Sequence, residues 1–484
     1  MVGDSGGDEG LVVVSNREPV VHSYTADGIA RSRPTGGLVS ALDEVVADLG
    51  GTWVAWGSGD ADFDQSVAPD GTLSLPPDDP AYTLRRVNLS RQQVDGYYYG
   101  YSNQVLWPLC HLDTNYVDVR PGFWETYEAV NAEFADAVAA AADGPVWVQD
   151  YHLTRLPRLL RERGFDGGPV VQFWHVPWPP AEVFAICPQA EQVLDGLLGA
   201  DALGFHTEQY RTNFLDSVAR LVPDADPDRE RGVVERGGRT TRTYVAPVGV
   251  DTDAVAARAR DGSADHWRRL VRSEDVGDAT VAVGVDRLDY TKGILERLDA
   301  LERLWATTPR LRGDLVYVQT ATRTREGIAA YRAYHGEVRD RVYDLNQRFG
   351  TDDWTPVVYT EADLARDELL GLYRHADVAV VSSRKDGLNL VAPEFVAASR
   401  GAGGVLVLSE FTGAAEHLGE GAVTVNPFDT ASFADRLVAA VEMDEDERGE
   451  RFAALTDAVG ANDVSDWIAA NRRQFERGAP ADGD

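Results

Sequence analysis

At 484 residues the chain is too long for one ordinary hydrophobic core, so two or more domains are expected. A hydrophobic fraction of 44% with 11 tryptophans supports large cores and excludes wholesale disorder. A formal charge of −33 argues against nucleic acid or an anionic membrane as the main partner.

Residues 11–14, Leu-Val-Val-Val, read as a buried parallel strand that exits through Ser15-Asn16-Arg17. Strand C-termini in open α/β sheets are where ligands bind, and Arg17 there is suited to bidentate phosphate contact or, equally, to a surface salt bridge. Gly36-Gly37, ahead of an amphipathic run, forms a Gly turn opening a helix. Gly51 to Gly57, containing Trp53 and Trp56, reads as a second strand, and residues 60–80, rich in Asp, Pro and Gly, as a loop. Tyr97 to Pro108 is an aromatic cluster with Tyr98 and Trp107. Such rings suit either sugar faces or a core.

Val146 to Leu156 and Val170 to Pro180 repeat the strand-to-helix design, leaving Asp150 and His152 just past one strand and His175 before a Pro-stiffened turn. Leu197 to Phe205 is a helix feeding a strand, and Thr241 to Val250 ends a further one. A domain boundary is expected near residue 250. Residues 280–285 start a new sheet and lead into Asp286-Arg-Leu-Asp-Tyr-Thr-Lys-Gly293, where Arg287 and Lys292 converge on a strand exit. Strands at 314–320, 356–359, 378–381 and 404–409 alternate with helical segments, which predicts parallel sheets with right-handed crossovers.

The most informative stretch is 378–399. Val378 to Val381 is a short β-branched strand, Ser382 to Gly387 is turn chemistry, and Leu388 onward has helical spacing. Strand, Gly turn and helix N-terminus together make an anion site, flanked by Lys385, Asp386 and Glu394. A phosphate site beside carboxylates that seek hydroxyls points to a sugar nucleotide. Two α/β halves of this kind predict a cleft between two Rossmann-like domains, with the last helix, around Trp467 to Phe475, packing back on the first half.

Cys110 and Cys187 give neither a disulfide framework nor metal-ligand spacing, which fits a reducing cytosol. The acidic, Gly-rich start is unlike the basic head of a signal peptide, and no apolar run approaches the roughly 20 residues of a membrane span. Lysine occurs only at 292 and 385, so nearly all 46 basic residues are arginine, against 79 acidic ones. This balance resembles proteins of salt-saturated cytoplasm, where the Debye length is about 3 Å or less, and points to a halophilic archaeal source. An acidic protein of high-GC coding is the plainer alternative.

Seven strings match, in order, the trehalose-6-phosphate synthases, retaining glycosyltransferases of the GT-B fold. They are Ser15-Asn-Arg17, Gly36-Gly-Leu38, Tyr101-Ser-Asn103 with Leu106-Trp-Pro108, Asp150-Tyr-His-Leu153, His175-Val-Pro-Trp-Pro179, Asp286 to Gly293, and Asp386-Gly-Leu-Asn-Leu-Val391 with Glu394. The resemblance implies an α/β GT-B fold of two doubly wound domains facing a central cleft. Residues 1–250 would bind the acceptor, 251–460 the nucleotide sugar, and 461–484 would form the returning helix and an acidic tail.

On that resemblance Arg287 and Lys292 hold the donor diphosphate, Glu394 the ribose, and Asp386, Gly387, Leu388, Asn389, Leu390 and Val391 the donor glucose and phosphates, with Gly37 also on the donor. His175 lies by the reacting glucose, and Arg287, Lys292, His175 and Asp386 form the catalytic set. Arg17, Gly36, Trp56, Tyr98, Trp107, Asp150 and Arg323 hold glucose 6-phosphate. The implied reaction moves glucose with retention from a nucleoside-diphosphate glucose, as co-substrate, to glucose 6-phosphate, without metal or other cofactor. Its partners are small molecules, without nucleic acid or membrane, and homo-oligomerisation is compatible with it.

Pro393 departs from the family, where many relatives carry a basic residue, and a proline at that depth is expected to loosen the helix. The segment Glu18-Pro-Val20 and the Tyr-rich run before Ser102 also depart from it. Alternatives are a glucosylglycerol-phosphate synthase taking glycerol 3-phosphate, a pseudo-glycosyltransferase joining cyclitols, and a non-catalytic sugar-phosphate-binding regulator.

Overall fold

The computed structural model describes residues 10–33, 42–43, 45–47, 50–141, 144–261 and 279–478. The chain divides into two compact units, residues 1–247 with 467–484, and residues 248–466. The divisions fall at 247/248 and 466/467, against expected boundaries of 250 and 460.

Unit 1 holds a ten-stranded sheet and a separate hairpin. In chain order its strands are β1 (Val12–Arg17), the hairpin β2 (Val21–Thr25) and β3 (Gly28–Ser32), β4 (Thr52–Trp56), β5 (Thr72–Leu75), β6 (Tyr82–Val87), β7 (Val146–Gln149), β8 (Val170–Phe173), β9 (Ala202–Phe205), β10 (Asp226–Asp228), β11 (Val233–Arg236) and β12 (Arg239–Val245). The large sheet runs β10-β11-β12-β9-β8-β7-β1-β4-β6-β5. From β12 to β6 every pairing is parallel, and the central strands are buried on both faces, as continuous apolar runs require.

Its margins are not parallel. β10–β11, β11–β12 and β5–β6 pair antiparallel, so the expected uniformly parallel sheet is corrected at both edges. β5 lies inside the segment read as a loop, and β6 was not anticipated from the pattern.

Unit 2 contains β13 (Thr280–Arg287), β14 (Leu315–Thr322), β15 (Val357–Thr360), β16 (Val378–Val381), β17 (Val405–Ser409) and β18 (Val423–Val425) in the order β15-β14-β13-β16-β17-β18, all parallel. Strand order reverses between β13 and β16 here and between β1 and β7 in unit 1. Such reversals splay the connections apart and leave a crevice at the strand C-termini.

The helix Val464–Gly478 contributes Trp467, 1% exposed, to unit 1. Its ring lies 4.9 Å from Trp147 and 5.4 Å from Phe173, while Asn471 Oδ1 accepts from Tyr244 Oη at 2.6 Å.

Candidate active site

In unit 2 the reversal point is lined by two segments. β13 leads into a short helical turn, Tyr290–Lys292, then Gly293 in the left-handed region (φ 66°) and the helix Ile294–Thr307. A Cβ on Gly293 would sit 2.0 Å from the Ser382 carbonyl oxygen, so only glycine lets this turn close on the β16 exit. The closure brings Lys292 Nζ to 2.6 Å from Asp386 Oδ2, across 94 residues of sequence.

Asp386 is buried and well supplied with donors. Ser383 Oγ and Asn389 Nδ2 donate to Oδ2 at 3.0 Å each, and the Gly387 amide donates to Oδ1 at 3.0 Å. Asn389 adopts φ 80°, one of four non-glycine residues with positive φ among those described. Strain of this kind persists only where the surroundings over-determine it.

The helix begins at Val391, with Leu390 as its cap, three residues later than the apolar spacing indicated. Gly387 therefore belongs to the turn. Pro393 is the third helical residue, where the N–H would have no intrahelical acceptor, and the first intrahelical bond, Glu394 N to Leu390 O at 3.0 Å, is intact. The expected loosening does not occur.

Glu394 is 5% exposed and pairs with Arg366 at 2.9 Å. Burial pushes its carboxyl above the usual range while Arg366 pulls the other way. Arg287 is half-buried at the β13 exit. Between it and Lys292 lies Asp289, fully buried, accepting from Thr291 and, through Oδ2, from Arg325 Nη1 (3.0 Å) and Tyr331 Oη (3.1 Å). Burial alone would raise the Asp289 pKa; the guanidiniums of Arg325 and Arg287 and the Lys292 ammonium overcome it and hold it below the ordinary value. Lys385 is half-buried, and its pKa is lowered by desolvation against the pull of Glu416 and Asp386.

In unit 1 Arg17 is exposed at the end of β1, and its Nη2 donates to Tyr98 Oη at 3.3 Å. Tyr98 comes from a wide, π-helical coil, Asp95–Leu106, which ends on a bond reaching back five residues (Trp107 N to Ser102 O). Its ring stacks on His152 (5.9 Å, 15°) and meets Trp56 at 5.7 Å. Tyr97 and Tyr101 are core residues; Tyr98, itself buried, touches the strand exit. Trp107 is buried against His111 and Tyr151.

Asp150, after β7, has φ 68°, and its Oδ1 accepts the His175 amide at 3.3 Å. The His175 ring bridges Gln149 Oε1 (2.9 Å) and His206 Nε2 (3.3 Å). An amide oxygen only accepts, so His175 carries its proton on Nε2, and Nδ1 accepts from His206. Desolvation first, and His206 second, push the His175 pKa well below its ordinary value, which keeps the ring neutral.

The structure thus groups Arg287, Lys292, Asp386 to Val391 and Glu394 at the β13/β16 reversal, and Arg17, Trp56, Tyr98, Asp150 and His175 around the strand exits on either side of the β1/β7 reversal. Gly36 and Gly37 lie outside the described residues. Arg323 lies in unit 2, exposed, and is engaged by Glu361 (2.5 Å) and Glu326 (3.4 Å). Two positions on, Arg325 turns inward at φ 50° and is 7% exposed, so of the two arginines it is the one built into the site. Sequence reasoning also missed Asp289 and Arg366. Asp289 stood inside a quoted motif; Arg366 gave no local signal, because its partner is 28 residues away.

Each unit is thus an α/β domain with side chains suited to phosphate and hydroxyl groups at its sheet reversal, which is the class of nucleotide- and sugar-phosphate-binding α/β proteins. The profile of glycosyltransferase family 20 matches residues 9–477, and the chain belongs to that family. It is 38% identical over 471 residues to the trehalose-6-phosphate synthase of Mycolicibacterium smegmatis, covering 95% of this chain and 91% of that one. It is 36% identical to the bifunctional trehalose-6-phosphate synthase/phosphatase of Thermoproteus tenax over 94% of its own length, and spans 62% of that longer protein. Among solved structures, a UDP-forming alpha,alpha-trehalose-phosphate synthase from Burkholderia xenovorans in complex with glucose-6-phosphate superposes with a TM-score of 0.84 at 30% identity, covering 96% of this chain and all of that one. The architecture is the GT-B fold.

Proposed function

We propose that this protein transfers glucose, with retention, from a nucleoside-diphosphate glucose to glucose 6-phosphate, forming trehalose 6-phosphate. The observation that carries the reading is the β13/β16 reversal, where Arg287, Lys292, the Asp386 turn and buried Glu394 meet in a protein of net charge −33. Two cations at a strand exit suit the charge that develops on a departing diphosphate. The open N–H groups of the helix at Val391 and the Gly387 turn add to them. Glu394, fixed by Arg366, is the acceptor for ribose hydroxyls, and Asp386, fixed by Lys292, for those of glucose.

In unit 1 Arg17 supplies a guanidinium for the acceptor phosphate, and Tyr98, Trp56 and Trp107 supply ring faces. Asp150 orients an acceptor hydroxyl. A three-carbon acceptor has no use for those ring faces, so glucose 6-phosphate is favoured over glycerol 3-phosphate. Front-face attack, with the departing phosphate oxygen taking the acceptor's proton, needs no side-chain nucleophile.

Part of the proposal is a metal-independent reaction in a salt-rich cytoplasm, with turnover unchanged by EDTA. No described helix is long and apolar enough to cross a membrane. The deciding assay offers UDP-, GDP- and ADP-glucose with glucose 6-phosphate or glycerol 3-phosphate to the purified protein in multimolar KCl. Formation of an α,α-linked product with glucose 6-phosphate is expected; no nucleoside diphosphate release from any pairing by folded protein would sink the enzyme reading.

A further inference from the structure

Next to Arg17 the chain turns inward. Glu18 and Asp62, both with fully buried side chains, share one guanidinium, that of fully buried Arg86 on β6. Arg86 Nε donates to Glu18 Oε2 at 2.6 Å, and its Nη2 lies 2.9 Å from Asp62 Oδ1. Arg86 also donates to the Val20 and Asp62 carbonyls, and its Nη2 lies 2.9 Å from His22 Nδ1, which is itself 3.3 Å from Asp62 Oδ1.

The turn after Trp56, Gly57-Ser58-Gly59, looks like an anion-binding Gly turn, but its donors are already used. The Ser58 amide (2.7 Å) and hydroxyl (3.0 Å) donate to Glu18 Oε1, and the Gly59 amide donates to Asp62 Oδ2 at 2.6 Å. A Cβ on Gly59 would lie 2.2 Å from the His22 carbonyl oxygen, so the turn is pressed directly on β2, the strand that follows Glu18-Pro-Val20. The carboxyl groups of Glu18 and Asp62 therefore occupy the donors of this turn. Glu18's pKa is pushed up to about 8, by burial first and by Asp62 beside it, while Arg86 pulls it down.

We propose that Glu18 and Asp62, clamped on Arg86, are positioning residues that lock the turn after Trp56 against the β1 exit and so fix Arg17 and Trp56 for the acceptor phosphate. This rests on the acceptor reading of unit 1. Glu18 touches no substrate; it acts through its sequence neighbour Arg17, which reaches Tyr98, and through Ser58, two residues from Trp56.

The test is steady-state kinetics of Glu18→Gln with UDP-glucose and glucose 6-phosphate, alongside Arg17→Ala and the double variant. A lost hydrogen bond to a charged group costs about 1.5 kcal/mol, or roughly tenfold in affinity, so KM for glucose 6-phosphate should rise by about that factor, with KM for UDP-glucose unchanged and Glu18→Asp recovering part of the loss. In the Arg17→Ala background Glu18→Gln should add nothing further, whereas a merely structural role predicts additive effects and falling kcat. If Glu18→Gln does not fold, Ser58→Ala removes one donor at an exposed position and should raise the same KM alone. Wild type without transfer to glucose 6-phosphate would overturn the acceptor reading. Active wild type with an unchanged acceptor KM in these variants, or additive effects in the double variant, would overturn only the positioning role.

Discussion

Lys292 has two tasks that a pair of substitutions separates. Its ammonium is 2.6 Å from Asp386 Oδ2, with both side chains 11% exposed. Removing one member of a fully buried pair costs about 3–5 kcal/mol. Here Asp386 keeps hydrogen bonds from Ser383, Asn389 and the Gly387 amide. Lys292→Ala should therefore lose about 2–3 kcal/mol of stability, below the full buried-pair cost. Its effect on turnover is independent. If the ammonium stabilises the leaving diphosphate as an oxyanion donor does, at least about 2 kcal/mol of transition-state stabilisation disappears, or roughly 30-fold in kcat.

Asp386→Asn added to Lys292→Ala removes the stranded carboxylate, so stability should return while kcat does not. The assay is denaturant unfolding and UDP release for wild type, both single variants and the double variant, in multimolar KCl. A folded Lys292→Ala enzyme with kcat within about threefold of wild type, less than 1 kcal/mol by the same conversion, would refute the diphosphate assignment.

Other outcomes follow from the same structure. Arg287→Ala should match Lys292→Ala in lost turnover, by at least about 2 kcal/mol, and near-normal kcat would remove Arg287 from the diphosphate site. Desalting should unfold the chain through carboxylate repulsion at a net charge of −33, read as lost far-UV circular dichroism; an unchanged spectrum counts against salt adaptation. Glu18 gives a signed pH effect: the unfolded carboxyl releases its proton near 4.5 and the folded one near about 8, so the folded state binds the extra proton and stability falls as pH rises through that window. Glu18→Gln should therefore gain on wild type across it, and a difference in unfolding midpoint that ignores pH would refute the assignment. Trp467→Ala, emptying a site between Trp147 and Phe173, should cost about 3–5 kcal/mol in thermal or denaturant unfolding; a loss under 1 kcal/mol would mean that the helix Val464–Gly478 adds little to unit 1.

Features that rest on local period and turn chemistry are legible along the chain. Val378 to Val381 is a strand with the bounds its apolar run indicates, and Arg17, Arg287 and Asp386 stand at strand exits because apolar runs end there. The central parallel strands were legible for the same reason, since burial on both faces leaves an unbroken apolar string. The edges were not. Asp226-Pro227-Asp228 has no strand-forming side chains and is held by backbone pairing to β11.

Tertiary structure alone decided which distant groups meet. Nothing near Glu394 names Arg366, and nothing in Glu18-Pro-Val20 names Arg86, 68 residues on. The second pair depends on strand order: β1 beside β4 and β4 beside β6 bring Glu18, the Ser58 turn and Arg86 together. It also settled which arginine of Arg323-Thr-Arg325 turns inward, through a positive φ that favours no arginine intrinsically and is held by Asp289 and Tyr331.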